Sequence, residues 1–147
     1  TGAYAVYDDD PVNADVYGNL YNWFAVDDSR GLCMEGWHVP TSDEFRIFKS
    51  YLDMVVSFQN STTASMMATE IGGTNESGFT ALPGGILDFG NFYYLGEYGS
   101  FWTSTLSATW NNSKSSGLII VMNSGSPWWI IAPFNKQTGM SIRCVAD

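Results

Sequence analysis

Hydrophobic side chains recur at helical spacing in the first half of the chain. They follow one another at intervals of three and four residues, so one face of a helix carries all of them. The positions are Phe45, Phe48, Leu52 and Val55. This spacing predicts an amphipathic helix whose apolar face packs on the core.

The start of this helix is marked by Thr41 and Glu44, which form a capping box. The Thr41 hydroxyl is expected to accept from the backbone N–H of Glu44, and the Glu44 carboxylate from the N–H of Thr41. Pro40 disfavours helix at Val39, so the preceding segment is predicted to be extended.

Shorter elements are predicted on both sides of this helix. Residues 1–7 are expected to form an edge strand, and Asp8, Asp9 and Asp10 a solvated acidic turn before Pro11. Residues 17–26 are expected to form a short helix or an irregular segment. Its predicted inward side chains are Leu20, Trp23 and Phe24. A second helix over 63–71 is expected to pack through Met66, Met67 and Ile71.

The second half of the chain has the pattern of short strands. A brief strand is expected over 79–85, followed by a long irregular loop over 88–99 that folds Phe92, Tyr94 and Leu95 back on the core. Further strands are predicted over 101–105, 109–112, 118–122, 128–132 and 140–145. Short Ser/Asn/Gly turns between them indicate an antiparallel meander. Helices precede strands, so the predicted fold class is α+β.

Length and charge limit the classes of partner. The 147 residues predict one domain over 1–147. The net charge of −9 argues against nucleic acid and anionic membranes, which would repel the chain. No apolar stretch approaches the length of a membrane span, so membrane insertion is not expected.

The two cysteines, Cys33 and Cys144, form either one disulfide or two free thiols. With His38 as the single histidine, they cannot complete a zinc site, and no metal or cofactor is predicted.

Six motifs occur in order along the chain. They are Tyr7-Asp-x-Asp-Pro11, Tyr17-Gly-x-Leu-Tyr21, Cys33-x-x-Gly-Trp-His-Val-Pro-Thr41 with Glu44, Gly78-Phe-x-Ala-Leu-Pro-Gly-Gly85, Phe101-Trp-Thr-Ser-Thr105 and Ser141-x-Arg-Cys-Val145. Together they resemble the Fibrobacter succinogenes major paralogous domain family. The family's usual opening strand, Trp-Met-x-x-Asn-Leu, does not occur in this sequence.

The resemblance implies a C-type-lectin-like fold with two helices, a small twisted antiparallel sheet and long irregular loops. It also implies that Cys33 pairs with Cys144. Domains of this family are mostly exported and often appended to bacterial surface proteins, so the chain is expected to be a module of a longer exported protein at the cell surface or outside the cell.

Catalysis is not predicted. The chain also resembles the formylglycine-generating enzymes around residues 36–44, but those enzymes need a reactive cysteine pair besides the structural one. His38 is expected to be packed or hydrogen-bonded rather than catalytic. Sugar-binding C-type lectins use a Trp-Asn-Asp strand to hold calcium, whereas Trp110-Asn111-Asn112 lacks the carboxylate.

The predicted site is a calcium-independent binding surface around Trp128 and Trp129. Alternate side chains of a strand point to opposite faces, so one tryptophan of this pair is expected to leave the core, although both can be buried. Trp102 is assigned to the core. Exposed aromatic groups beside Asn and Ser are typical of binding surfaces. The other predicted ligand-binding residues are Trp110, Asn111, Asn112, Lys114, Asn123, Ser124, Ser126 and Asn135.

The predicted function is therefore ligand recognition or adhesion by a monomeric bacterial surface or fimbrial module, with an unidentified protein or glycan of another cell surface as its partner. The alternative is a structural domain that caps or spaces a larger assembly. By kinship with C-type-lectin-like domains that are varied by diversity-generating retroelements, the stretch 105–136 is a candidate diversified segment.

Overall fold

The computed structural model of the protein describes residues 1–55, 62–107, 116–123, 126 and 129–147. Its α-helices are α1 (Pro11–Tyr17), α2 (Trp23–Val26), α3 (Ser42–Val55) and α4 (Thr62–Met66). Its strands are β1 (Tyr4–Ala5), β2 (Leu20–Tyr21), β3 (Trp37–His38), β4 (Gly84–Asp88), β5 (Asn91–Leu95), β6 (Tyr98–Ser107), β7 (Ser116–Asn123), β8 (Ile130–Asn135) and β9 (Val145–Ala146). Short 3-10 turns lie at Tyr7–Asp9 and Thr69–Ile71.

Helix α3 begins where the capping box predicts. The Glu44 backbone N–H donates to Thr41 Oγ1 at 3.1 Å, and the Thr41 N–H donates to Glu44 Oε2 at 2.7 Å. Both contacts satisfy donors that the first helical turn leaves unpaired. The start of α3 is therefore fixed by local hydrogen bonds.

The apolar stripe of α3 is confirmed at its N-terminal end. Phe45 and Leu52 are buried, and Phe48 packs against the same cluster. Val55 is 55% exposed, so the prediction that it faces the core is wrong. Val55 is the last residue of α3, and it is exposed although it lies on the same side of the helix as Phe48.

Strands β6, β7 and β8 form the antiparallel meander that the sequence predicts. Central strand β7 pairs with β6 through Phe101↔Ile120 and with β8 through Ile120↔Ile131. The strands predicted over 101–105, 118–122 and 128–132 correspond to β6, β7 and β8, while 109–112 lies outside the described residues.

Both faces of this sheet carry core clusters. Phe101, Ile120 and Met122 point to the face that packs on α3 and α4, together with Phe45, Leu52, Met66 and Met67. Trp102 and Ile119 point to the opposite face, with Ile86, Met140 and the α2 residue Trp23. The core assignment of Trp102 is confirmed, since its side chain is fully buried.

The two core tryptophans also satisfy backbone groups that the irregular segments leave unpaired. Trp23 Nε1 donates to the Thr103 carbonyl at 3.1 Å, and Trp102 Nε1 donates to the Tyr21 carbonyl at 2.7 Å. A buried indole N–H without an acceptor is costly, so both bonds fix how residues 20–26 lie on the sheet.

Several local predictions need correction. Residues 88–99 are not an irregular loop, because Ile86↔Tyr93 and Asp88↔Asn91 pair in the β4–β5 hairpin. Its turn residues, Phe89 and Gly90, both have positive φ, as a tight hairpin turn requires. Phe92 does pack inward on Tyr7, whereas Tyr94 is 50% exposed.

Other differences concern the N-terminal third and the second helix. Phe24 is 37% exposed rather than inward, while Leu20 and Trp23 are buried as predicted. The acidic turn is exposed, as predicted. Its last residue, Asp10, accepts from the Val12 N–H and so caps helix α1, a helix that was not predicted from the sequence. The predicted helix over 63–71 is confined to α4 and the later 3-10 turn.

The disulfide between Cys33 and Cys144 is confirmed, and its two cysteines are separated by 111 positions in the sequence. Beside it, β3 pairs antiparallel with β9 through Trp37↔Ala146 and His38↔Val145. The segment before α3 is thereby held to the last strand both covalently and by backbone hydrogen bonds.

Gly117 is predicted to tolerate a side chain poorly. A Cβ there would lie 2.3 Å from Trp23 Cδ1 and 2.7 Å from Trp102 Cζ3, and both rings are locked in the core. Gly117→Ala should therefore lower the free energy of unfolding by about 1–3 kcal/mol, measured by denaturant titration.

Gly84→Ala is the matched control. The nearest atom to its Cβ would be the Ser141 hydroxyl, at 3.1 Å, and the next is Tyr17 Cβ at 3.5 Å, so the loss of stability should be smaller. Equal losses in the two variants would contradict the packing assigned to Trp23.

Candidate functional site

The sequence-predicted binding residues are only partly within the described structure. Six of them lie outside the described residues: Trp110, Asn111, Asn112, Lys114, Ser124 and Trp128. The others are Asn123 at the end of β7, Ser126 in the loop that follows, Trp129 just before β8 and Asn135 at the end of β8.

Trp129 belongs to the core and not to a surface. Its side chain is 6% exposed and packs with Phe45, Leu52 and Met66 on the α3 side of the sheet. Its Nε1 is buried and has no hydrogen-bond partner among the described residues. Because its side chain is buried to this extent, Trp129 is not exposed for direct contact with a ligand. It is therefore not part of the candidate site.

The remaining predicted residues lie at two ends of the sheet. Asn123 is opposite Tyr98 of β6, whereas Asn135 is opposite Ser116 at the other end of β7. The seven steps from Ser116 to Asn123 span about 23 Å at the usual rise per residue. Asn123 and Asn135 therefore do not contribute to one small-ligand site.

Asn123 lies next to a groove that the sequence analysis did not predict. On this face of the sheet, Tyr98 is opposite Asn123, and Val121 is opposite both Ser100 and Ile130. Trp23 covers the far end of this face at Gly117. At the near end the cover is incomplete, since Ile130 is 57% exposed and Val121 partly exposed.

We call the resulting cavity the tyrosine groove. It measures about 300 Å³ and lies between the β4–β5 hairpin and the sheet. Its lining residues are Ile86, Tyr94, Tyr98, Ser100, Ile119, Val121, Phe134 and Met140. None of these carries a formal charge at neutral pH, so the groove suits a neutral ligand.

Two tyrosines give the groove its aromatic character. The rings of Tyr94 and Tyr98 contact edge to face with centroids 5.3 Å apart. Tyr94 is half-exposed and has a φ of 66°. A bulky residue in this left-handed region stores backbone strain, which surrounding structure must hold in place.

The hairpin supplies that constraint. Gly85, which lies between the paired residues Gly84 and Ile86, also has a positive φ of 67°. A Cβ at Gly85 would lie 2.4 Å from the Tyr93 carbonyl oxygen, so only glycine permits this approach of the two strands. The Gly-Gly pair at 84–85 and the aromatic stretch 92–98 were the available sequence signals for the groove.

Comparison with known protein families gives a match over nearly the whole chain. The model of the Fibrobacter succinogenes major domain matches residues 1–146. The chain belongs to the Fibrobacter succinogenes major domain family. No curated protein and no solved structure gave a significant match.

The motifs shared with this family have identifiable structural roles. Pro40, Thr41 and Glu44 set the start of α3, and the motif around 141–145 carries the disulfide and strand β9. Ser141 also pairs with the sheet, since its carbonyl accepts from the Trp102 N–H at 3.0 Å. These motif residues therefore maintain the fold around the disulfide.

His38 is hydrogen-bonded on both ring nitrogens, as predicted. Nδ1 lies 2.7 Å from Asp147 Oδ1, and Nε2 lies 2.8 Å from Glu44 Oε1. A carboxylate can only accept, so both contacts are hydrogen bonds when the ring is the doubly protonated cation. The hydrogen bond to Asp147, followed by that to Glu44, raises the pKa of His38, whereas the Thr41 backbone N–H is the main cause that lowers the pKa of Glu44.

Neither a metal site nor a membrane-spanning helix occurs among the described residues. No group of three or more His, Cys, Asp or Glu side chains there has an arrangement that could hold a metal ion. Within the same residues, no helix is both long enough and apolar enough to cross a membrane.

The His38 arrangement predicts a pH-dependent stability. Because its folded pKa lies above the ordinary value of 6.5, its contribution is fully present below about pH 6.5 and is lost as pH rises through the folded pKa. Chemical denaturation of the wild type between pH 5 and 9 should show this decline. His38→Gln should reduce the decline, because His38 is the single histidine.

Asp147→Asn is the companion variant, since it removes the partner with the largest effect on His38. The decline should then be smaller and should end at a lower pH, because the folded pKa of His38 lies closer to its ordinary value. A wild-type profile that matches His38→Gln over the whole range would contradict the paired imidazolium.

Proposed function

We propose that this domain is a non-enzymatic recognition module that binds neutral glycans in the tyrosine groove without calcium. The observation that carries the proposal is the incompletely covered face of the β6–β7–β8 sheet, on which Tyr94 and Tyr98 border a cavity of about 300 Å³. A cavity of this size accepts one or two sugar rings.

The chemistry of the lining favours a sugar. The C–H faces of a pyranose stack on aromatic rings, and the Tyr hydroxyls and Ser100 supply hydrogen bonds to its hydroxyl groups. Asn123, a residue of the sequence-predicted surface, is opposite Tyr98 at the same end of the sheet. A charged ligand would find no counter-charge among the lining residues.

Calcium independence is part of the proposal. Calcium takes six to eight oxygen ligands, among which carboxylates dominate in proteins, and the groove lining contains no Asp or Glu. Binding is instead expected to rest on stacking and hydrogen bonds between neutral groups.

The setting we propose is the surface of a bacterial cell or a fimbria, with a C-type-lectin-like arrangement of the fold. The Cys33–Cys144 disulfide is typical of exported proteins. The joining of residues 37–38 to residues 145–146 next to an amphipathic helix, with irregular segments around a small sheet, supports the lectin-like arrangement.

A structural role in a larger assembly is the second candidate. The burial of Trp129 favours it, because one of the two tryptophans expected to form a binding surface is a core residue. We propose, as part of the recognition function, that the stretch 105–136 is diversified. Sibling sequences that differ mainly in this stretch would support its diversification.

The proposal is tested by glycan-array binding of the purified domain, in calcium and then in a chelator. A neutral glycan should be retained in both conditions. Tyr94→Ala should weaken its binding at least about tenfold, corresponding to the loss of roughly 1.4 kcal/mol of stacking and burial.

Tyr51→Ala is the matched control, because Tyr51 is a similarly exposed tyrosine on α3 that does not line the groove. It should leave binding unchanged. If Tyr51→Ala and Tyr94→Ala weakened glycan binding equally, the groove would be refuted as the binding site. Absence of binding across the array would favour the second candidate.

A further inference from the structure

The residues that line the tyrosine groove differ in how deeply they are buried. Ile119 and Met140 are each 1% exposed and Ile86 is 7% exposed, although all three line the cavity. Tyr94, by contrast, is half-exposed. A lining residue that solvent hardly reaches lies at the bottom of an open groove, whereas a half-exposed one lies at its opening. Ile86, Ile119 and Met140 therefore form an apolar floor, and Tyr94 belongs to the rim.

The register of the sheet places the other lining residues around this floor. Val121 follows Ile119 on the same face of β7, and its partner in β6 is Ser100. Tyr98 lies two residues before Ser100 and points to the same face of β6. Phe134 of β8 is partly exposed and adds a further apolar wall. The polar side-chain groups of this lining are thus two tyrosine hydroxyls and one serine hydroxyl.

Ser100 is the lining residue that brings a hydroxyl to the depth of the floor, since it is as deeply buried as Ile86. A serine hydroxyl donates one hydrogen bond and can accept others. It can therefore serve a ring hydroxyl of a bound sugar. A second ligand hydroxyl that reached the apolar floor would lose its water without gaining a partner, which is unfavourable. The floor thus favours a ligand with an apolar group at one corner.

We propose that the tyrosine groove selects a 6-deoxyhexose, whose C6 methyl group rests on the apolar floor. This inference rests on the proposed binding of neutral glycans and adds the class of sugar. A 6-deoxyhexose carries a methyl group where the parent hexose has a hydroxymethyl group, and it keeps its ring hydroxyls. The methyl group lies against Ile86, Ile119 and Met140, while the ring hydroxyls face Ser100 and the rim.

An N-acetylated sugar also carries a methyl group, but it fits this floor less well. Its methyl group is joined to an amide, which brings both a donor and an acceptor towards the floor. The N–H and C=O of a trans amide point in opposite directions, so the Ser100 hydroxyl reaches only one of them. The other would be buried without a partner, and the floor therefore favours the 6-deoxyhexose.

The test compares sugars that differ only at C6, by calorimetric titration of the whole domain. L-Fucose and L-galactose are one such pair, and L-rhamnose and L-mannose are another. In at least one pair, the 6-deoxy sugar should bind at least about tenfold more tightly than its parent hexose. Equal affinities within both pairs, tighter binding of the parent hexoses, or tighter binding of N-acetylglucosamine than of either 6-deoxy sugar would overturn the inference.

Failure of this inference is distinguishable from failure of the proposed function. If a neutral glycan is retained on the array but none of the four sugars binds, the 6-deoxyhexose is overturned and glycan binding stands. If no neutral glycan is retained, the proposed function itself is refuted.

Saturation-transfer NMR locates the methyl group independently of affinity. The C6 methyl protons of the bound 6-deoxy sugar should receive the strongest saturation from the protein, because they lie deepest in the groove. Weaker saturation of the methyl group than of the ring protons would contradict its position on the floor.

Val121→Thr tests the apolar character of the groove, because threonine keeps the shape of valine and adds one hydroxyl next to the floor. The preference for the 6-deoxy sugar over its parent hexose should fall by about threefold or more, since the new hydroxyl can serve the C6 hydroxyl of the hexose. Val12→Thr is the matched control, as Val12 is an exposed valine of α1 outside the groove lining. An equal preference in the two variants would overturn the inference.

Discussion

Strand β7 is buried on both of its faces, and this double burial determines how the other elements are arranged. Ile119 and Ile120 are neighbours that point to opposite faces of the sheet, and both are almost fully buried. Each face therefore needs its own cover. Helices α3 and α4 cover one face, while short segments and side chains, above all Trp23, cover the other.

This unequal cover explains where cavities form. A helix of 14 residues buries a sheet face continuously, whereas single side chains bury it in patches. Trp23 covers the face at Gly117, and the β4–β5 hairpin reaches it only at Ile86 and Tyr94. The tyrosine groove lies between Trp23 and the β4–β5 hairpin, where neither of them covers the sheet.

The sequence was sufficient for features that are determined locally or by strong periodicity. The capping box at Thr41 and Glu44, the meander of β6 to β8 and the core position of Trp102 were predicted, and family resemblance supplied the disulfide pairing. The β4–β5 hairpin was missed because its Gly- and Asn-rich composition is equally typical of loops. Its pairing depends on positive φ angles at Phe89 and Gly90, which apolar periodicity does not reveal.

The candidate site was less predictable than the fold, for a geometric reason. Their closeness in sequence led to the prediction that Asn123 and Asn135 share one surface. The strand register instead places them at opposite ends of β7, separated by its whole length. The same logic applies to the tyrosine groove, whose lining residues come from segments distant in sequence. A binding surface in this domain thus has to be located from the way irregular segments cover the sheet, because that cover depends on contacts between distant segments, whereas the capped start of α3 is determined by neighbouring residues.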